Sequence, residues 1–280
     1  MAKILIIGCG DIGTQLAHVL SAKGHQVTGL KRNPSKTADS DINYFTADIT
    51  SAADLEDLPM DFDTLYFIVS PDGRNEESYR VIYQSGLNNL LDKFALAGSS
   101  PQWIFVSSTS VYGQSQGEWV DEDSIAQPNN STSQLIRQAE QKLMDSDAHN
   151  IVVRFSGIYG PGREYLLRTA LQAPAIQKIP PYFTNRIHQG DCVGVLVFLL
   201  ERRLAGVALE QCYLASDDDP APLWEVMTWL AEHLKCRPPT VKSVDNHADM
   251  NKRCNNRRLK ALGYKFHYPS YKDGYLELIT

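Results

Sequence analysis

The 280-residue sequence predicts an α/β fold, a doubly wound parallel sheet with a smaller C-terminal lobe. Three observations predict it. Short apolar runs recur that are apolar nearly throughout rather than alternating, as in strands covered on both faces. Stretches with apolar residues at helical spacing separate them. A glycine-rich turn joins the first apolar run to the first helical stretch.

The expected strands are "ILII" (4–7), "QVTGL" (26–30), "TLYFIV" (64–69), "WIFVS" (103–107) and "IVVRF" (151–155). Between them, "DIGTQLAHVLSAKG", "EESYRVIYQSGLNNLLDKFALAG" and "STSQLIRQAEQKLMDS" predict helices, the first two closed by glycine. Repeated strand–helix–strand units join by right-handed crossovers, which gives the doubly wound sheet. After about residue 156 the pattern loosens. "GIYGPGREY" and "QAPAIQKIPPYF" read as loops, "DCVGVLVFLLERR" as a helix and "QCYLAS" as a strand; "PLWEVMTWLAEHLK" reads as a helix before an irregular tail. Residues 1–155 are therefore expected to form a nucleotide domain. Residues 156–280 should complete the sheet and form a small substrate lobe, with the ligand at the carboxyl ends of the strands.

Composition excludes several classes. A net charge of -6 and a pI near 5.6 argue against non-specific binding to nucleic acid or to an anionic membrane. The longest apolar runs are too short to span a bilayer, and the opening residues read as a strand rather than a secretory leader. Cys9, Cys192, Cys212, Cys236 and Cys254 are scattered, with no CxxC pair. They read as reduced thiols of a cytoplasmic protein, without a disulfide framework or a metal site.

The turn "GCGDIG" is the first functional signal. Gly8 permits the tight turn after the strand, Gly10 leaves room for a pyrophosphate, and Gly13 lets the helix press on the sheet. Asp11 and Ile12 open that helix, whose N-terminus carries partial positive charge toward the anion. The context, strand before and helix after, is that of a Rossmann-like dinucleotide site. The second strand ends in Lys31 and Arg32, where NAD sites usually carry a carboxylate. Two cations there favour a 2′-phosphate, so NADP is expected, with NAD the alternative.

From here the sequence resembles the extended short-chain dehydrogenase/reductase family, the NAD(P)-dependent epimerases and dehydratases. The motifs that carry the resemblance are "GCGDIGTQLA", "ADIT" (47–50), "SGLNNLLDKFALAG", "WIFVSSTSVYG", "VVRFSGIYGPGR" and "RIHQGDCVGVLVFLL", with "CYLASDDDPAPLWEV" and "KRCNNRRLKALGYKFHYPSYKDGY" in the C-terminal part. The resemblance implies that Asp48 and Ile49 flank the adenine, that Val69 and Ser70 line the cofactor, and that Ser108 faces the nicotinamide. It also implies a Tyr with a Lys four residues later, at positions 132 and 136. Thr132 and Ile136 stand there instead. The chain thus resembles an atypical, YeeZ-like subgroup that keeps the nucleotide loop and lacks the complete catalytic set. The only Tyr-x-x-x-Lys, Tyr268 to Lys272, encloses Pro269 and reads as chance.

Three readings of function follow, the last of them a fold relic whose nucleotide loop is empty. The first is an oxidoreductase or epimerase acting on a nucleotide sugar or a small carbonyl or hydroxyl compound. Its relocated acid would be Tyr112, Tyr159, Tyr83 or His188, which occur in motifs flanking the family's cleft. The second is an NADP(H)-binding sensor or scaffold without turnover. Arg163, after "YGPG", is a candidate for a substrate phosphate or carboxylate, as Tyr159 and His188 are for substrate contact. Asp191 reads as a helix cap and Arg186 as a loop anchor. Among Lys252, Arg253, Arg257, Arg258 and Lys260, one is a candidate for the diphosphate of a nucleotide-linked substrate, the rest a solvated face. The helices near 78–97 and 132–147 carry more apolar residues than one buried stripe needs, which suits either a homodimer or burial within the monomer.

Overall fold

The run "KILII" becomes β1 (Lys3–Ile7), an interior strand of the main sheet, in a computed structural model that describes residues 1–33, 42–243 and 251–279. The chain continues through α1 (Asp11–Ala22), β2 (Gln26–Lys31), β3 (Asn43–Thr46) and β4 (Thr64–Phe67). Next come α2 (Glu76–Arg80), a π turn (Val81–Gly86), α3 (Leu87–Leu96) and β5 (Gln102–Ser108). β6 (Glu118–Val120), α4 (Ser131–Ser146), β7 (Ile151–Phe155), β8 (Gly157–Tyr159), α5 (Tyr165–Ala170) and β9 (Ala175–Gln177) follow. β10 (Phe183–Thr184), β11 (Arg186–His188), α6 (Gln189–Leu204), β12 (Cys212–Ala215) and β13 (Ala221–Pro222) lead to α7 (Leu223–His233). The chain closes with β14 (Thr240–Lys242), β15 (Lys252–Cys254), α8 (Arg257–Ala261) and α9 (Tyr271–Ile279). Seven strands form the main sheet in the order β12-β7-β5-β4-β1-β2-β3, the doubly wound parallel arrangement expected. By contact the chain divides into two units. One comprises Met1–Ser108, Pro128–Val153 and Leu196–Cys212; the other comprises Thr109–Gln127, Arg154–Val195 and Tyr213–Thr280.

In the first unit the central strands are sealed on both faces. Ile4 through Ile7, Leu65, Tyr66, Phe67, Ile104 and Phe105 are all fully buried, which is why their sequences do not alternate. Each such side chain contributes about 1.5–3 kcal/mol on burial. Phe67 and Phe105 stack with ring centroids 5.3 Å apart, and the buried Tyr66 hydroxyl donates to the Leu196 carbonyl at 3.1 Å. The helix expected across 78–97 is interrupted by the six-residue π turn. There Gly86 lies against Ile49, whose Cγ1 and Cδ1 would be 2.8 Å from a Cβ at that position. α4 is capped by Asn130, whose Oδ1 accepts the Ser133 amide at 2.9 Å.

The second unit is built from small paired strands and a separate core. β8 pairs with β11, β9 with β14 and β6 with β15, all parallel, and β10 pairs antiparallel with β13. Tyr159, Leu167, Val226, Met227, Leu230, Tyr271 and Tyr275 make its core. The tail expected to be irregular contains α8 and α9. Asp191, expected as a helix cap, instead anchors this tail. Its Oδ1 accepts from the Tyr264 hydroxyl and the His267 amide (both 2.8 Å), and its Oδ2 accepts the Tyr268 amide at 2.9 Å. A carboxylate that takes three donors from a segment over 70 residues away orders it more firmly than local propensity can.

Candidate functional site

Because β1, β2, β3, β4 and β5 run parallel, their carboxyl ends share one edge of the first unit's sheet. The glycine turn, Lys31 and Arg32, Asp48 and Ile49, Val69 and Ser70, and Ser108 all follow or end these strands there. Gly8 has φ +99°, and a Cβ on it would lie 2.7 Å from the Ile68 carbonyl oxygen. A Cβ on Gly13 would lie 2.2 Å from the Gly8 oxygen. Both positions therefore need glycine for the turn and helix to close on the strand. Gly10 differs. It has ordinary backbone angles, φ -79° and ψ -155°, and a Cβ there would meet nothing within 4 Å. The fold does not need glycine at position 10.

Gly10 is also the N-cap of α1, and no side chain caps that helix. A helix leaves the amides of its first turn without intrahelical partners, and Asp11, Ile12 and Gly13 form that turn here. Ile12 and Gly13 are buried and hold the helix on the sheet, while Asp11 is exposed. The bare turn and uncapped helix start fit a diphosphate by their own geometry. Cys9, between the glycines, packs under Gly29 and donates to the Ile6 carbonyl at 3.6 Å. Burial pushes its thiol up to about 12, so it serves packing rather than nucleophilic chemistry.

The remaining edge residues fall into two groups. Ile49 is buried against Gly86, and its carbonyl accepts from Asn89 Nδ2 at 3.0 Å. Asp48 closes a turn, with Oδ1 accepting from the amide (2.9 Å) and hydroxyl (2.7 Å) of Thr50. Val69 accepts at its carbonyl from the Tyr83 hydroxyl at 3.4 Å, Ser70 is exposed, and Lys31 and Ser108 are half-buried. Arg32 is exposed and forms a bidentate pair with Asp72, at 2.8 and 2.7 Å. Asp72 gave no sequence signal, because the pair spans 40 residues.

Thr132 donates from its hydroxyl to Asn130 Oδ1 at 2.8 Å, and Ile136 is buried. Neither supplies an acid or a charge. One turn on, the fully buried Glu140 accepts from the Ser107 hydroxyl and pairs with Arg137 at 3.2 Å. This buried carboxylate beside the end of β5 is a polar group the sequence reading missed, since helical spacing alone marks Glu140 as surface.

In the second unit Tyr112 is fully buried. Its hydroxyl donates to the Asp121 carbonyl (2.7 Å) and accepts from Arg154 Nη1 (2.8 Å). Tyr159, His188 and Tyr268 come together: the His188 ring centroid lies 5.3 Å from Tyr159 and 3.8 Å from Tyr268. Burial pushes the Tyr159 phenol well up and the His188 imidazole down. His188 Nδ1 accepts the Gly190 amide at 3.1 Å, which assigns the neutral ring's hydrogen to Nε2. That nitrogen is buried and has no partner among the described residues. Arg163 is half-buried, with its amide donating to the Gly160 carbonyl at 2.9 Å. Arg186 is buried at the base of the same strand, its guanidinium 5.3 Å from the Tyr271 ring centroid.

Comparison with known proteins agrees with this geometry. The profile of the NAD dependent epimerase/dehydratase family matches residues 4–203. Protein YeeZ of Escherichia coli K12 is 28% identical over 287 residues, covering 96% of this chain and 97% of its own. A Streptomyces 3-diazoavenalumate denitrifying reductase is 26% identical, covering 97% of this chain and 98% of its own. A solved Methylobacillus flagellatus structure, assigned provisionally as an NAD-dependent epimerase/dehydratase, superposes with a TM-score of 0.84 at 35% identity, covering 99% and 97% of the two chains. A strand–glycine-turn–helix opening, a seven-stranded doubly wound sheet and a profile match over most of the chain place it in the NAD-dependent epimerase/dehydratase family.

Proposed function

We propose that the chain binds a nicotinamide dinucleotide at the carboxyl edge of the first unit's sheet, NADP ahead of NAD. We propose further that it uses the nucleotide as an oxidoreductase or epimerase on a small carbonyl or hydroxyl compound or a nucleotide sugar. The observation that carries this reading is Gly10, a glycine the fold does not require at the mouth of an uncapped helix. The amides of Asp11, Ile12 and Gly13 would hold the diphosphate. Asp48 and Ile49 would flank the adenine, and Val69 and Ser70 would line the cofactor past β4. Lys31 and Arg32 would take the 2′-phosphate, Arg32 by exchanging Asp72 for it. A bound nicotinamide supplies or accepts a hydride. Ser108, ending β5, would orient the substrate hydroxyl or carbonyl; Tyr159, Arg163 and His188 are further candidates for substrate contact. Tyr112 is the weakest of the proposed acids, because its hydroxyl is already held on both sides.

The reductase relative supports a reductive use of the cofactor. The absence of an acid at Thr132 and of a charge at Ile136 favours the second reading, a cofactor-binding protein without turnover. Calorimetry with NAD(H) and NADP(H), followed by NADPH consumption against nucleotide sugars and small carbonyls, separates the two. Turnover abolished by Ser108→Ala supports the enzyme, and tight NADPH binding with no turnover supports the sensor. Absence of heat with all four nucleotides refutes both. NADPH affinity unchanged in Lys31→Glu/Arg32→Glu refutes the NADP preference.

A further inference from the structure

The basic stretch "NKRCNNRRLK" presents five cations, and the structure treats them differently. Arg258 is committed to Asp123 at 2.6 Å and to Glu122 at 3.7 Å. Lys260 is paired with Asp218 at 2.9 Å. Lys252 is buried on β15, and Arg257 stands exposed on a five-residue helix. Arg253 is held in a different way. Its guanidinium lies against two aromatic rings, 4.9 Å from the Trp119 centroid and 4.8 Å from that of Phe183. Its Nε donates to the Gly117 carbonyl at 2.7 Å, which fixes the plane of the group. The β6–β15 register sets Arg253 directly opposite Trp119. Among the described residues no carboxylate pairs with its two terminal nitrogens.

An arginine at a surface usually gives up much side-chain freedom when it grips an anion. Here the rings and the Gly117 carbonyl have already removed that freedom. The fork Nη1–Nη2 remains to meet a planar or tetrahedral oxyanion with two parallel hydrogen bonds. Trp119 beside it is 55% exposed, a large apolar surface for a soluble protein to leave open. We infer that Arg253 and Trp119 form a binding site for a small molecule carrying a carboxylate or phosphate on a flat ring. The guanidinium takes the oxyanion and the indole takes the ring. The site lies wholly in the second unit and needs no nicotinamide nucleotide, so it stands or falls apart from the cofactor reading.

The test is calorimetry on the full chain, without nucleotide, using phenyl phosphate, benzoate and inorganic phosphate as probes. Phenyl phosphate or benzoate should bind more tightly than inorganic phosphate, and whichever is tighter names the oxyanion. Arg253→Gln should weaken the better probe by about tenfold or more, the loss of a charge-assisted pair of hydrogen bonds. Arg253→Lys keeps the charge and loses the fork, so it should fall between. It also serves as the folded control should the glutamine variant melt early. Trp119→Leu should remove the advantage of the ring-bearing probes and leave inorganic phosphate unchanged. No binding of either ring-bearing probe at millimolar concentration, or binding that Arg253→Lys leaves untouched, would overturn the inference.

Discussion

Gly10→Ser separates what the fold needs from what a ligand needs. Position 10 has backbone angles open to any residue, and the space beyond its Cα is empty. It caps α1 with no side-chain acceptor, so a serine Oγ could accept the amide of Ile12 or Gly13. The cap adds a few tenths of a kcal/mol over glycine, and the stiffer unfolded chain adds about 0.4–1 kcal/mol, giving about 0.5–1.5 kcal/mol in all. For a chain of this size that raises the apo melting temperature by about 1–6 °C. The same oxygen then occupies an amide that a diphosphate would use. Losing one charge-assisted hydrogen bond costs about 1.5–3 kcal/mol, roughly 10- to 150-fold in Kd. The two effects have opposite signs, which a general disturbance of the fold cannot produce. At a nucleotide concentration about 100 times the wild-type Kd, ligand stabilises wild type by about 2.7 kcal/mol, and a hundredfold weaker variant by about 0.4 kcal/mol. Differential scanning fluorimetry with and without NADPH reads both effects. If the variant gains as much from NADPH as wild type does, the turn does not hold the diphosphate.

Three further outcomes follow from the same structure. Gly8→Ala and Gly13→Ala, unlike the change at Gly10, drive a Cβ into backbone and should destabilise by about 2–4 kcal/mol in chemical denaturation; neutral effects would show that the turn closes differently. Arg137→Met strips a partner from fully buried Glu140, and because Arg137 is itself 27% exposed the loss should be about 2–3 kcal/mol, below that of a fully buried pair. The double variant Arg137→Met/Glu140→Met should recover part of it; no recovery would mean the pair contributes by shape alone. His188 has a folded pKa below its ordinary 6.5, so the folded state binds the proton less readily than the unfolded chain. Its contribution is whole above about pH 6.5 and is lost as pH falls toward the folded value. The denaturation midpoint of His188→Gln should therefore drop less than that of wild type between pH 7.5 and 5.5, and parallel curves would remove His188 from the acid response.

Much of the sheet was legible because its strands are buried on both faces. "ILII" and "IVVRF" have no alternation to confuse with anything else, and their boundaries fall within a residue of β1 and β7. The glycine turn was legible because glycine is a steric statement. What the sequence could not show were contacts fixed by topology. Asp191 reads locally as a cap, yet the Tyr264–Tyr268 backbone and hydroxyl reach it from the tail. The π turn at Val81–Gly86 contains no proline, and its one glycine, at the end of "VIYQSG", does not by itself separate a π turn from continuous α-helix. Asp72 and Glu140 read as solvated charges until Arg32 and Ser107 are placed beside them.

The chemistry left to the chain is constrained by the same contacts. A Tyr–Lys pair works because the cation lowers the phenol's pKa toward neutrality. Tyr83 and Tyr159 move the other way: burial pushes both phenols further up, and for Tyr159 the opposing pull of the Arg186 charge does not offset it. Tyr112 does have Arg154 at its hydroxyl, but the same hydroxyl donates to the Asp121 carbonyl inside a sealed core. Among the described residues His188 Nε2 has no hydrogen-bond partner, though burial lowers the ring's pKa and makes it a hydrogen-bond donor rather than a source of protons at neutral pH. A donor of that kind can polarise a carbonyl for hydride addition and let solvent complete the protonation. It cannot easily strip a proton from an alcohol. Under the proposed reading, such a donor would suit reduction of an already electrophilic substrate better than oxidation of an alcohol.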